Sequence, residues 1–202
     1  MAFITRGFHG RREAEDDGGR IPPGQYRTED FPVLSAGPTP HTPLEEWSFT
    51  IVSESGEEAA RWSWDDFQAL PSETVTVDIH CVTKWSKLDT TWEGVSVDTL
   101  LADVETDAAY ITAFSDGGYT TNLPLEDVTD GKAWVAYGYD GEPLDPEHGG
   151  PARLLVPHLY FWKSAKWVRG LELREDDEPG FWEGYGYHNY GDPWREQRYW
   201  GD

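Results

Sequence analysis

A single cysteine, Cys81, occurs in the 202 residues, so no disulfide can close within the chain. The thiol is either an inert buried group or a functional one. No apolar run approaches the length that crosses a bilayer, which excludes a membrane span. The glycine-rich dinucleotide fingerprint is missing, and no internal repeat or Ser/Gly linker divides the chain. One domain with a substantial core is therefore expected. Positive charge is the scarcest commodity: 38 acidic residues stand against 16 basic ones, for a net charge of −22. That balance excludes nucleic-acid binding through a basic surface. Lysine is rarest, limited to Lys84, Lys87, Lys132, Lys163 and Lys166. Acid excess with little lysine is either a solubilising surface or, the favoured reading, a halophilic adaptation in which salt screens the self-repulsion. Residues 1–8 lack an apolar signal core, and Arg11-Arg12 is followed by Glu13, Glu15, Asp16 and Asp17 instead of an export segment. The expected compartment is the cytoplasm, which suits an unpaired thiol.

Gly and Pro punctuate the first part of the chain, at Pro22-Pro23-Gly24 and Gly37-Pro38-Thr39-Pro40. Residues 1–30 are read as an extended N-terminal segment, 31–175 as one domain and 176–202 as an aromatic C-terminal segment packed on it. Disordered tails are poor in aromatics, and this one holds Phe181, Trp182, Tyr185, Tyr187, Tyr190, Trp194, Tyr199 and Trp200. Alternation predicts strands over 44–52, 75–79, 110–114, 133–139, 153–157 and 166–173. A short helix over 65–70, capped by Ser63 and stopped by Pro71, and another over 97–104 are predicted. Short strands and short helices without a long βαβ repeat indicate a mixed-sheet α+β domain.

The strand at 75–79 delivers Cys81 where a sheet ends and a polar turn begins, a place where ligands are commonly held. Base rates alone favour an inert thiol there. The stretch His148-Gly149-Gly150-Pro151-Ala152-Arg153-Leu154-Leu155-Val156-Pro157, followed by Lys163-Ser164-Ala165-Lys166-Trp167, reverses that preference. A chain this acidic that gathers cations in one segment is either building an anion site or pairing surface charges with neighbouring acids, and position alone does not choose. For an anion, arginine offers a planar fork, lysine a point charge, and a tight turn its backbone N–H groups.

This spacing resembles the molybdopterin-binding domain of the sulfite oxidase family: His-Gly, one residue, Pro, one residue, Arg, an apolar strand ending in Pro, then Lys-Ser-x-Lys-Trp. Trp92-x-Gly94-Val95-x-Val97-x-x-Leu100-Leu101 and Ser115-Asp116-Gly117-Gly118-Tyr119 are similar too, and the likeness runs from Phe31 to Leu173. The resemblance implies a sulfite oxidase-type fold and a molybdenum–molybdopterin cofactor with Cys81 as the protein's ligand to the metal. A soft thiolate suits such a sulfur-rich centre. It further implies cofactor contacts from His148, Arg153, Lys163, Ser164, Ala165 and Lys166, from Ser115 and Asp116 near the metal, and from the Ser35-Ala36 turn. His41 lies in a Pro-rich loop within reach of the cofactor, and Tyr119 with Tyr187 and His188 is placed at the substrate mouth. The catalytic set is Cys81, Asp116 and Tyr119.

Two departures bear on substrate. Where the family's N-terminal loop carries Arg-Asn-His, this chain has Leu34-Ser35-Ala36, which removes an arginine used for sulfite. After the cysteine stand Val82-Thr83-Lys84-Trp85-Ser86; Lys84 or Lys87 supplies charge, and Trp85 either makes a bulkier pocket or packs in the core. The expected function is oxygen-atom transfer on a small molecule (a sulfite-like oxyanion, a sulfoxide or an N-oxide), with electrons exchanged with a separate partner protein. Two other classes stay open on sequence alone: a non-catalytic aromatic-rich binding module, and a thiol enzyme using Cys81 with His80 or His148 as base.

Overall fold

Alternating apolar residues build strands here only where a partner strand covers their backbone, and two sheets result. The computed structural model describes residues 18–202; the segment bearing on an export signal, residues 1–17, lies outside the described residues. In chain order the early strands are β1 (Tyr26–Arg27), β2 (Ser48–Ser53), β3 (Glu58–Ser63), β4 (Glu73–His80) and β5 (Trp85–Ser96). The later ones are β6 (Tyr110–Ser115), β7 (Thr120–Pro124), β8 (Trp134–Tyr139), β9 (Glu142–Pro143), β10 (Arg153–Leu155) and β11 (Val168–Arg174). Helices are short: α1 (Trp64–Gln68), α2 (Val97–Leu101) and α3 (Phe181–Gly184). Ser63 does cap α1, in a reciprocal capping box with Asp66.

One sheet has the order β1-β5-β8-β10, with β4 added to β5 and β9 to β8; the other runs β3-β2-β11-β6-β7. Parallel pairs (β1 with β5, β2 with β11) mix with antiparallel ones, as a mixed-sheet α+β fold requires. The main core lies between the sheets, where Phe49, Ile51, Ile111 and Leu171 meet Val95, Val135 and Leu154. A second cluster covers the other face of the first sheet: Ile79, Cys81, Trp85, Trp92, Trp134, Ala136 and Leu155. Because side chains alternate along a strand, Arg153 and Leu155 share this outer, aromatic face while Leu154 enters the main core.

Five strands lie outside the sequence expectation, the two-residue β1 and β9 among them, and β2 starts only at Ser48, after a single turn over Leu44–Glu46. β5 extends through Lys87, Asp89 and Glu93, charges that break the apolar alternation and are accommodated by the Glu29 carbonyl, Arg20 and the Tyr137 hydroxyl. β3 is an edge strand with few β-branched residues, and β7 follows a glycine turn that masks its start. Conversely, β11 begins only at Val168, since Trp167 takes a left-handed φ of 55°. No helix among the described residues is long and apolar enough to cross a membrane.

The C-terminal aromatic segment is fastened from inside. Glu183 on α3 is fully buried and accepts from Thr121 Oγ1, Trp162 Nε1 and Lys163 Nζ at 2.9, 2.9 and 2.7 Å. Lys163 Nζ also donates to the backbone and side-chain oxygens of Asn122. A buried ion with its partner removed is costly, so Lys163→Met is expected to lower unfolding free energy by about 3–5 kcal/mol in denaturant titration. Converting the pair together, Lys163→Met with Glu183→Leu, is expected to cost less than the single change. A double variant as unstable as the single one would show that the pair is not the coupled unit.

Candidate active site

β4 ends at His80, and Cys81 opens the turn into β5. Cys81 N–H donates to Trp85 O at 2.8 Å and Lys84 N–H to Cys81 O at 2.9 Å, with Lys84 at a left-handed φ of 77°. This is a hairpin loop of three residues closed by a left-handed position. Gln25 Nε2 holds the Cys81 carbonyl from the other side at 3.1 Å. The backbone of Cys81 is thus fixed, and its sulfur, buried and pushed up in pKa by that burial, accepts from Thr83 Oγ1 at 3.1 Å. His80 faces the opposite way. Its Nδ1 pairs with Ser86 Oγ at 2.8 Å, and burial pushes the imidazole down to about 4. It cannot serve as base to Cys81.

The anion end is built by β10 and the loop that follows. Tyr160 lies beside His80 in a parallel bridge, so residues 157–167 cross next to the Cys81 turn. Arg153 is 2 % exposed and makes no ion pair among the described residues; its Nη1 and Nη2 donate to the carbonyls of His148 and Ser164, both at 2.7 Å. Its guanidinium lies over the Phe161 ring at 4.0 Å and the Trp92 ring at 5.6 Å. Burial pushes it down to about 9. Lys166 likewise has no carboxylate partner among the described residues, its Nζ donating to the carbonyls of Leu34 and Glu147 at 2.7 and 3.0 Å. Burial first, and then Arg153, push it down to about 8. Two cations bound only to carbonyl oxygens leave a positive charge that an incoming anion can neutralise.

Gly149 explains the motif that separates them. At φ 113° a Cβ would meet Lys166 Cβ and Cγ at 3.0 Å and Arg153 Cβ at 3.1 Å, so only glycine lets both cations flank one backbone. His148, one residue earlier, stacks on Phe31 with ring centroids 3.8 Å apart and planes 6° off parallel.

These parts line one cavity of about 590 Å³, roofed by residues 31–40. It brings together Cys81, Ser35, Ala36, Asp116, Tyr119, His148, Arg153, Ser164, Ala165 and Lys166. His41, Ser115 and Lys163 are outside the lining. His41 is exposed beyond Pro40, Ser115 is buried behind Asp116, and the Lys163 ammonium is taken by Glu183. Asp116 is engaged at the wall by Thr42 Oγ1 at 2.6 Å and Arg169 at 3.4 Å. Tyr119 donates its hydroxyl to Trp162 O at 2.6 Å, and burial keeps that phenol well above the usual range. Lys84 and Lys87 do not reach the cavity, whereas Trp85 is both core and lining. Phe31, Trp162, Phe181 and Trp182 line the cavity without having been singled out as site residues; the aromatic-rich tail was the available signal for Phe181 and Trp182, and nothing comparable marks Phe31 or Trp162.

The donor set fits a molybdopterin: one soft sulfur at the end of a strand, and an uncompensated Arg–Lys pair for a phosphate. A thiol enzyme fits less well, because no histidine nitrogen pairs with Cys81 among the described residues. Comparison with known proteins agrees. The family model for the oxidoreductase molybdopterin binding domain matches residues 36–182. Uncharacterized oxidoreductase YuiH of Bacillus subtilis is 43% identical over 95% of this chain and 98% of its own. The protein-methionine-sulfoxide reductase catalytic subunit MsrP of Pseudomonas syringae is 28% identical over 73% of this chain and 49% of its own. Mitochondrial sulfite oxidase of Rattus norvegicus is 23% identical over 84% and 38%. The crystal structure of the sulfane dehydrogenase SoxCD from Paracoccus pantotrophus superposes with a TM-score of 0.60 at 22% identity, covering 69% of this chain and 41% of that one. The chain thus spans nearly all of the Bacillus protein and half or less of the others.

Proposed function

The chain belongs to the oxidoreductase molybdopterin binding domain family and is an oxidoreductase that takes molybdenum–molybdopterin, and on that premise we propose that it transfers an oxygen atom to or from a small molecule. The observation that carries this reading is the joining of Cys81 and the unpaired Arg153–Lys166 cations in one cavity. When bound, the molybdenum–molybdopterin group supplies a metal centre that exchanges two electrons together with an oxygen atom.

The protein's own contribution is binding, orientation and electrostatics. Cys81 presents sulfur from a backbone fixed at both N–H and carbonyl, and Thr83 restrains that sulfur by donating to it. Arg153 and Lys166 would hold the phosphate, with the Ser164 carbonyl fixing the Arg153 guanidinium and Ala165 lining the wall, while His148 stacked on Phe31 closes the flank. Residues 33–37 line the cavity and would cover the group, with Leu34 O anchored by Lys166. Asp116 and Tyr119 shape the wall through their bonds to Thr42, Arg169 and Trp162. In the reducing direction the oxidised substrate gives up one oxygen, consumes two electrons and two protons, and releases water. An electron carrier outside this domain supplies the electrons.

Metal analysis and pterin extraction on protein from a host that makes the cofactor test the reading. About one molybdenum per chain is expected, together with turnover of a sulfoxide or N-oxide on a reduced dye or of sulfite on an oxidised one. Protein from such a host without molybdenum or pterin, or loaded protein inert in both directions, would overturn it.

A further inference from the structure

Beyond the phosphate strip the cavity has an aromatic wall. Among the described residues Arg153 and Lys166 are the only arginine and lysine in its lining, and both belong to the phosphate strip. Lys87 Nζ is held outside by Glu29 O, and Arg198 by Glu196 and Pro23 O. The wall consists of Trp162, Trp182 and Tyr187, which pack with the cluster that contains Cys81 and Val82, and of Phe181, which meets Trp182 edge-on. Trp182 and Tyr187 are stacked at 4.9 Å and 18°, and Trp162 meets Tyr187 edge-on at 5.0 Å and 80°.

The wall is preorganised. Glu183 holds Trp162 Nε1, Tyr119 holds Trp162 O, Tyr187 N–H donates to Trp182 O at 3.0 Å, and Tyr187 is bridged to Tyr199. Trp182 and Tyr187 remain half-buried, so apolar ring surface faces the cavity beside the thiol. Fixed, partly open aromatic faces bind apolar or aromatic groups without new ordering, whereas a desolvated oxyanion there would find no counter-charge.

We propose that Trp182 and Tyr187 determine specificity, holding a neutral organic oxide with an apolar, preferably aromatic, body against this wall with its oxygen-bearing atom toward Cys81. The inference rests on the oxygen-transfer reading of the same cavity and narrows it, against a small oxyanion.

Calorimetric titration of the molybdenum-loaded protein with methyl phenyl sulfoxide, dimethyl sulfoxide and sulfite tests it, with molybdenum and pterin content measured on each sample. The aryl sulfoxide is expected to bind about tenfold more tightly than dimethyl sulfoxide. Trp182→Leu and Tyr187→Leu should each remove most of that preference, weaken aryl sulfoxide binding more than dimethyl sulfoxide binding at equal cofactor content, and raise KM for the aryl substrate more than they lower kcat. Trp182→Phe, which keeps a ring and tests the same contact should a leucine variant misfold by circular dichroism, should retain the preference. Tighter binding of sulfite than of either sulfoxide, no measurable aryl binding, or a preference indifferent to both leucine changes would overturn the proposal. Aryl binding that depends on Trp182 without oxygen transfer would defeat the reaction reading alone; sulfoxide turnover indifferent to both residues would defeat only the specificity assignment.

Discussion

Cys81→Ser is expected to reduce turnover by more than about 100-fold while leaving the protein folded and pterin-loaded. Losing even a supporting group around a metal ligand costs about 10–100-fold, and this change alters the ligand atom itself from soft sulfur to hard oxygen. The fold should tolerate it. The Cys81 backbone is tied to Trp85 O and to Gln25 through N–H and carbonyl, neither of which involves sulfur. The replacement is slightly smaller, and Thr83 Oγ1 can donate to oxygen as it does to sulfur. The pterin's phosphate end is held elsewhere, by Arg153 and Lys166, so extracted pterin should match the parent protein. Turnover, metal content and pterin extraction on the same preparation separate these effects. A serine variant with parental turnover and molybdenum would remove Cys81 from the metal site.

Cys81 was legible because Val75, Val77 and Ile79 alternate toward it and a turn sequence follows, so its position at the sheet's end is a local fact. The pairing of that position with Arg153 is not local. It depends on β4 and β10 lying in one sheet through β5 and β8, and β5 is the strand whose charged residues hide it. Resemblance of the His148–Trp167 motif to a family supplied that long-range link where periodicity could not. Within the motif, sequence treats Lys163 and Lys166 alike. The structure separates them, since Glu183, far along the chain on α3, neutralises Lys163, and Lys166 finds only carbonyls. His41 shows the same limit: a Pro-rich loop fixes where the chain passes and says little about which side chain turns inward, and here Pro40 lines the cavity while His41 does not. The aromatic tail was read as a wrapping segment, but its share in the cavity wall follows from Glu183 pulling α3 against Trp162.

Arg153→Met is expected to have opposite effects on the two forms of the protein: at least about a tenfold loss of cofactor retention, and little or no loss of stability when cofactor-free. A buried cation that lacks a carboxylate partner is held at a cost, and replacing buried charge by an apolar side chain of similar length is often neutral or stabilising. The two 2.7 Å bonds to the carbonyls of His148 and Ser164 offset part of that cost and are lost on substitution. With the phosphate present the balance reverses, because the guanidinium then meets its counter-charge in a dry site. Lys166 gives the same asymmetry as a pH dependence. Its folded pKa is lowered from 10.5 to about 8, so below pH 8 the folded state carries the full cost of the charge. Between pH 8 and 10.5 the unfolded chain binds the proton more than the folded one, and this group makes cofactor-free stability rise with pH across that window. Arg153, at about 9, adds the same sign at higher pH. Bound phosphate restores both cations and flattens the rise. Denaturant titration of loaded and cofactor-free protein from pH 7 to 10 (about the span of the Lys166 shift), with Lys166→Met as the reference that lacks its share, reads this directly. Cofactor-free stability that falls across the window relative to Lys166→Met, or an Arg153→Met protein that keeps its pterin under dilution, would show that these cations serve the fold and not the anion.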